Sequence, residues 1–110
     1  PNPAANAFAE GFKAWLKEDS ARLTDNSNSE EISAVTACGY DAYMAIYYAL
    51  EKAQSLDGAT LRDALAALDV PGLVTGDLKF DENGDAVKSY AIIKTATTEG
   101  FVFADSVAIE

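Results

Sequence analysis

The side chains that could do chemistry gather in two stretches, Cys38–Asp41 and Asp81–Asp85. The run Asp81-Glu82-Asn83-Gly84-Asp85 offers oxygen atoms at its first, third and fifth positions. A calcium loop of the EF-hand kind then needs Gly at position six and a bidentate Glu at position twelve. Those positions hold Ala86 and Ile92. The run therefore reads as a polar hairpin turn, and no metal is implied. Cys38 precedes an expected helix, where the dipole favours a thiolate. A cysteine nucleophile needs a base, and the sequence has no His. Cys38 thus reads as a small packing residue. A single Cys also excludes an intrachain disulfide and a multi-thiolate zinc site. Asp41 falls in the first turn of the same expected helix. It either places a favourable charge at the helix N-terminus or holds a ligand amine there. Tyr40 opens that helix and can face a cleft. Tyr43 and Tyr47 follow at helical spacing and read as core residues with their hydroxyls at an edge. No signal places two carboxylates in an apolar pocket, as general acid–base work requires. The glycines form no phosphate-cradling pattern.

Six elements must position these residues. Phe8, Phe12, Trp15 and Leu16 recur at i, i+4, i+7 and i+8, which predicts a helix over about Ala4–Lys17. Asp19–Glu31, centred on Asp25-Asn26-Ser27-Asn28-Ser29, has the composition of a loop. A second helix is expected over Gly39–Ala53. It carries no charge between Ala42 and Leu50, so it should be buried on several sides. A short third helix follows, with Thr60-Leu61-Arg62-Asp63 as a capping box, Leu61, Leu65 and Leu68 on its apolar face, and Pro71-Gly72 as its stop. The period then changes. Leu78 and Phe80 alternate with Asp77 and Lys79, and Asn83-Gly84 predicts a two-residue hairpin turn. The return run is Ala86–Lys94, whose unbroken Tyr90-Ala91-Ile92-Ile93 suggests a strand covered on both faces. After Glu99-Gly100 a last strand runs from Phe101 to Ile109, with Phe101, Phe103 and Val107 on one side. Three helices followed by strands indicate a mixed α and β fold.

Charge narrows the partners. Eighteen Asp and Glu against eight Lys and Arg give a net charge of −10 over 110 residues. Nucleic acids and anionic membranes bind through positive charge, so neither is an expected partner. No apolar run approaches the ~18 residues of a membrane span. The chain opens on Pro1 without the basic, apolar and small-residue segments of a signal peptide. It is expected to be a piece of something longer.

Further residues carry a family resemblance over nearly the whole chain. Gly39-Tyr40-Asp41-Ala42, Ala49-Leu50-Glu51-Lys52-Ala53, Ser55-Leu56-Asp57 and Leu61-Arg62-Asp63-Ala64-Leu65 come first. They are followed by Gly76-Asp77-Leu78-Lys79-Phe80-Asp81-Glu82-Asn83-Gly84-Asp85 and Tyr90-Ala91-Ile92-Ile93. In this order they resemble the C-terminal part of the Leu/Ile/Val-type substrate-binding proteins of ABC transporters. Asn2-Pro3 ahead of Phe8 and Phe12 fits as well.

The resemblance implies an α/β chain, the C-terminal fragment of a bilobal periplasmic-binding-protein fold. Residues 1–88 are then the end of the first lobe, and residues 89–110 a crossover strand toward the second lobe with the C-terminal strand. It also implies a non-enzymatic binding module, periplasmic or lipid-anchored outside the cell. Its partners are an amino-acid-like small molecule held between the lobes and a membrane permease, with no cofactor. In such lobes ligands meet strand C-termini and helix N-termini. That points to the expected loop from Val35 to Asp41: Tyr40 and Asp41 first, with Ala37 and Cys38 lining the same loop. A sensory or regulatory member of the same superfamily is the nearest alternative. A small acidic enzyme is a more distant one. The apolar second helix and the Tyr90–Ile93 strand, deprived of covering segments, imply self-association of the isolated piece.

Overall fold

Asn2 begins the first helix. Its side-chain oxygen accepts from the backbone N–H groups of Ala4 and Ala5, and Pro3 follows where a missing N–H costs nothing. The computed structural model describes residues 2–109, and in it α1 runs Pro3–Lys17. Phe8, Phe12 and Trp15 form a ladder of rings 5.9 and 5.8 Å apart, and Leu16 is buried. The expected loop over Asp19–Glu31 contains a further helix, α2 (Ser20–Asp25), so the described residues form four helices where three were expected. Asp19 caps α2, and Arg22 stacks 4.5 Å over the Trp15 ring while donating to the Trp15 carbonyl and the Glu18 carboxylate. These side-chain interactions hold a helix whose composition alone reads as loop. Ser27 and Asn28, both at positive φ, then reverse the chain.

The central helix, α3 (Ala34–Ala53), starts well before the expected Gly39. Ser33 is the reason: its hydroxyl accepts from the Thr36 N–H and fixes the first turn there. The segment Val35–Asp41 is therefore helix and not loop. Helix α4 (Gly58–Ala66) is capped by Asp57, not by Thr60. The Asp57 carboxylate accepts from both the N–H and the hydroxyl of Thr60, and these bonds hold it below the ordinary carboxylate value.

Pro71-Gly72, expected as a helix stop, lies inside strand β1 (Asp69–Leu73). Proline is tolerated there because β1 is an edge strand, and the register slips between Val70 and Leu73 to accommodate the pair. β1 pairs antiparallel with β2 (Gly76–Phe80), and β2 with β3 (Ala86–Val87), as the alternation around Leu78 and the Asn83-Gly84 signal predict. The β2–β3 connection is longer than a two-residue turn. Only Gly84 has positive φ within it, and the Asp81 carboxylate caps it by accepting from the N–H groups of Asn83 and Asp85. That work draws the Asp81 carboxyl below its usual range, with the Asp85 N–H bond the largest cause. The core sits between α3, α4 and this sheet: Ala45, Ala49, Ala64, Leu68, Leu73 and Leu78, with Leu61 and Leu65 packed against it.

The return run breaks at Lys88-Ser89. Beyond it, β4 (Tyr90–Thr97) and β5 (Gly100–Ala108) form a separate antiparallel sheet, and every residue in both strands is exposed. The expected double covering of Tyr90–Ile93 is absent among the described residues. Ile93 pairs with Asp105 but Lys94 with Phe103, so Ala104 is an extra residue that reverses the alternation of β5. Phe101 and Phe103 consequently share a face with Ile92 and Lys94, while Val107 lies on the other face, not beside them as the bare alternation suggests. The radius of gyration is 16.4 Å, against about 13 Å for a compact domain of this length. The excess reflects a second sheet held away from the helices. Among the described residues no helix is long and apolar enough to cross a membrane.

Candidate functional site

One short turn, Val74-Thr75 between β1 and β2, collects polar contacts from three elements. From the N-cap of α1, the Asn2 side-chain amide donates to the Val74 carbonyl at 3.3 Å and to the adjoining Leu73 carbonyl at 2.7 Å. From α3, the Asp41 carboxylate accepts the Val74 N–H at 3.0 Å, the Thr75 N–H at 2.7 Å and the Thr75 hydroxyl at 2.6 Å. From the link between the sheets, the Lys88 ammonium donates to the same Thr75 hydroxyl at 2.8 Å. Asp41 is 4% exposed and is the one buried charged residue among those described. A buried carboxylate is tolerated because three donors end on it.

An open cleft of about 830 Å³ lies beside this turn. Its walls come from the starts of α1 and α3, from Val74 and Thr75, and from the β4–β5 face that carries Tyr90, Ile92 and Phe103. Ala5, Ala34 and Ile92 make it mostly apolar, while Asn2, Lys88 and Ser106 supply a few polar atoms. That mixture suits a small amphipathic ligand, for which apolar walls give affinity and a few polar groups fix orientation.

The four candidate residues all stand on α3, in its first two turns, and they separate by face. Cys38 is exposed and lines the large cleft. Ala37 is half-buried beside it. Asp41 lies under the Val74-Thr75 turn, away from the helix N-terminus where it was expected. Tyr40 points to α1, its ring 4.9 Å from Phe8, and lines a second cavity of about 680 Å³ with Phe12, Trp15, Met44 and Tyr48. Tyr43, expected in the core, is 72% exposed. Tyr47 is also exposed and donates to Glu51, whose carboxylate raises the Tyr47 hydroxyl above its usual value. Thr75, Lys88 and Tyr90 were not anticipated as site residues. Only their positions at the ends of strands β2, β3 and β4 could have signalled them.

The model of the receptor family ligand binding region matches residues 1–98. The chain belongs to that family. Among solved structures, this family member is similar to a leucine-binding protein, LivK, from Thermotoga maritima, with a TM-score of 0.74 and 26% identity. That similarity covers 98% of this chain and 27% of the other, so the chain spans about a quarter of the length of the structure it matches. Its fold is accordingly part of a bilobal type I periplasmic-binding-protein fold. No curated protein matches it. The helices, the Val74-Thr75 turn and the second sheet together build the cleft in this part of the fold.

Proposed function

We propose that this chain is the C-terminal part of a solute-binding receptor that captures a branched-chain or related amino acid and delivers it to the permease of an ABC transporter. The observation that carries this reading is the likeness to a leucine-binding protein over 98% of the chain. In this reading residues 1–88 complete one lobe and residues 89–110 cross into the other. The break between the two sheets at Lys88-Ser89 supports that division. The ligand lies against the α3 side of the cleft, near Ala37 and Cys38, with Tyr40 and Asp41 shaping the helix behind it. Capture proceeds by closure of two lobes on the solute, without a catalytic step or a cofactor. The working place is outside the inner membrane, either free in the periplasm or lipid-anchored.

Thermal unfolding of the full-length receptor, with and without leucine, isoleucine and valine, tests the assignment. A ligand that binds only the native state stabilises it by about 2.7 kcal/mol at a hundred times its Kd. At least one of these amino acids should raise the melting temperature. No rise with any amino acid, at millimolar concentration, rejects the reading.

The same division predicts how the isolated chain behaves. Tyr43, Ile46 and Tyr47 on α3, and Ile93, Val102 and Val107 on the second sheet, are surfaces that the rest of such a receptor covers. Exposed apolar patches of that kind drive association. The 110-residue chain is expected to sediment as a dimer or larger species despite its net charge of −10. A monomer at high concentration and moderate salt refutes this.

A further inference from the structure

The two sheets are joined covalently by Lys88 and Ser89 alone, and contacts of Lys88 and Tyr90 with Thr75, Gly76 and Asp77 define how they meet. The Lys88 ammonium donates to the Thr75 hydroxyl at 2.8 Å, and the Thr75 and Asp77 carbonyls lie 3.4 Å from it. The Thr75 hydroxyl donates its own hydrogen bond to the buried Asp41 carboxylate, so its lone pair is left for Lys88. One residue on, Gly76 has φ +97° and lies beneath the Tyr90 ring. A Cβ there would stand 3.2 Å from the Tyr90 hydroxyl, so the absent side chain lets the first residue of β4 come close.

These contacts share a direction. Asp41 fixes the β1–β2 turn to the central helix, and the turn then presents a hydroxyl to Lys88 and a bare backbone to Tyr90. Lys88 adds charge to the contact: its ammonium and the Asp41 carboxylate sit on opposite sides of one hydroxyl, which polarises both bonds. Ser89 closes the arrangement by accepting the Ile109 N–H, which ties the end of β5 to the same link.

We infer that Asp41, Thr75 and Lys88 form a latch that sets the angle between the helix-bearing sheet and the β4–β5 sheet. Lys88 and Thr75, which also line the cleft, act here as positioning residues that hold one sheet against the other. Its bearing on ligand capture rests on the proposed function, in which this angle sets how far the lobes stand open. The latch itself rests only on the geometry of this chain.

Distance measurement between spin labels tests it without any ligand, and so apart from that function. Labels at S55C, after α3, and T98C, at the tip of the β4–β5 hairpin, are placed in a Cys38→Ser chain. The parent should give a narrow distribution. Lys88→Met and Thr75→Val should each broaden it and shift it to longer separation. Lys88→Arg, which keeps the donor charge, should restore the parent distribution. Combining Lys88→Met with Thr75→Val should add nothing, because both remove the same link. An unchanged distribution in Lys88→Met and Thr75→Val overturns the latch. So does a broadening that appears only with loss of the helical circular-dichroism signal.

Discussion

Asp41→Ala is expected to destabilise the chain by about 2–4 kcal/mol, read as a lower urea midpoint at neutral pH. The size follows from what the carboxylate does. It accepts the Val74 and Thr75 N–H groups and the Thr75 hydroxyl, at 2.6–3.0 Å, from a position only 4% exposed. Hydrogen bonds to a charged acceptor contribute about 1.5–3 kcal/mol each, and donors left without a partner cost about 1–3 kcal/mol. Full additivity is not expected, since the turn is half-buried and water can reach part of it. Asp41→Asn retains one acceptor oxygen but turns an amide N–H toward a backbone N–H. It should lose roughly half as much. The opposite result, with Asp41→Ala unfolding at the parent midpoint, would show that the turn satisfies its donors elsewhere. The experiment also separates structure from ligand contact. Asp41 already serves the fold with both oxygens, so a variant that loses solute binding must first be shown to keep the Val74-Thr75 turn.

Asp41 also shows how far the amino-acid sequence can be read. Its helix was legible from the uncharged run Ala42–Leu50, and the family from the order of motifs around Gly39-Tyr40-Asp41. Its partner was not, because Thr75 lies 34 residues away and nothing local marks a turn that needs a carboxylate. The start of α3 was placed too late because Ser33 is a weak signal beside the polar stretch before it. Ser33 as cap makes Val35–Asp41 helical, and that spreads Ala37, Cys38, Tyr40 and Asp41 over different faces instead of one loop. Helix α2 was missed for a related reason: it is held by Arg22 on Trp15 and by an Asp19 cap, interactions that composition does not reveal.

In the strands, alternation was readable around Leu78 and Phe80 but failed where the pairing is irregular. Pro71-Gly72 is a slip in an edge strand, and Ala104 is an extra residue in β5. Neither produces a pattern of its own, since a bulge is defined by the partner strand. The cleft was illegible for the same reason. Its walls meet only when Lys88 and Tyr90 come back against Thr75 and Gly76. The apolar Tyr90–Ile93 run was read as covered, and in this chain it is exposed. That difference agrees with the proposed receptor, in which other segments cover this surface.

Leu78→Ala should have an effect of similar or greater size, about 2–5 kcal/mol. Leu78 lies in the middle strand of the first sheet, opposite Val70, with its side chain among Ala45, Ala49, Ala64, Leu68 and Leu73. The cluster's buried members on α3 and α4 are all alanines, Ala45, Ala49 and Ala64, so they cannot swell into a hole left by an isobutyl group. The helix alanines bring α3 near the sheet, and Leu78 fills the space that this approach leaves. The cost is therefore the lost transfer energy plus a cavity that stays open, and it belongs to the upper half of the range. A domain of this length is stable by about 5–15 kcal/mol, and a chain with so few buried apolar residues falls toward the low end. Leu78→Ala should thus leave a substantial unfolded fraction at room temperature, visible as loss of both the helical signal and the cooperative transition. Leu78→Met, which keeps the volume, should cost less than about 1.5 kcal/mol. If alanine and methionine at this position unfold alike, the α3–α4–sheet packing is not what stabilises the chain. If alanine is severe and methionine mild, the core described here is the one that carries the cleft.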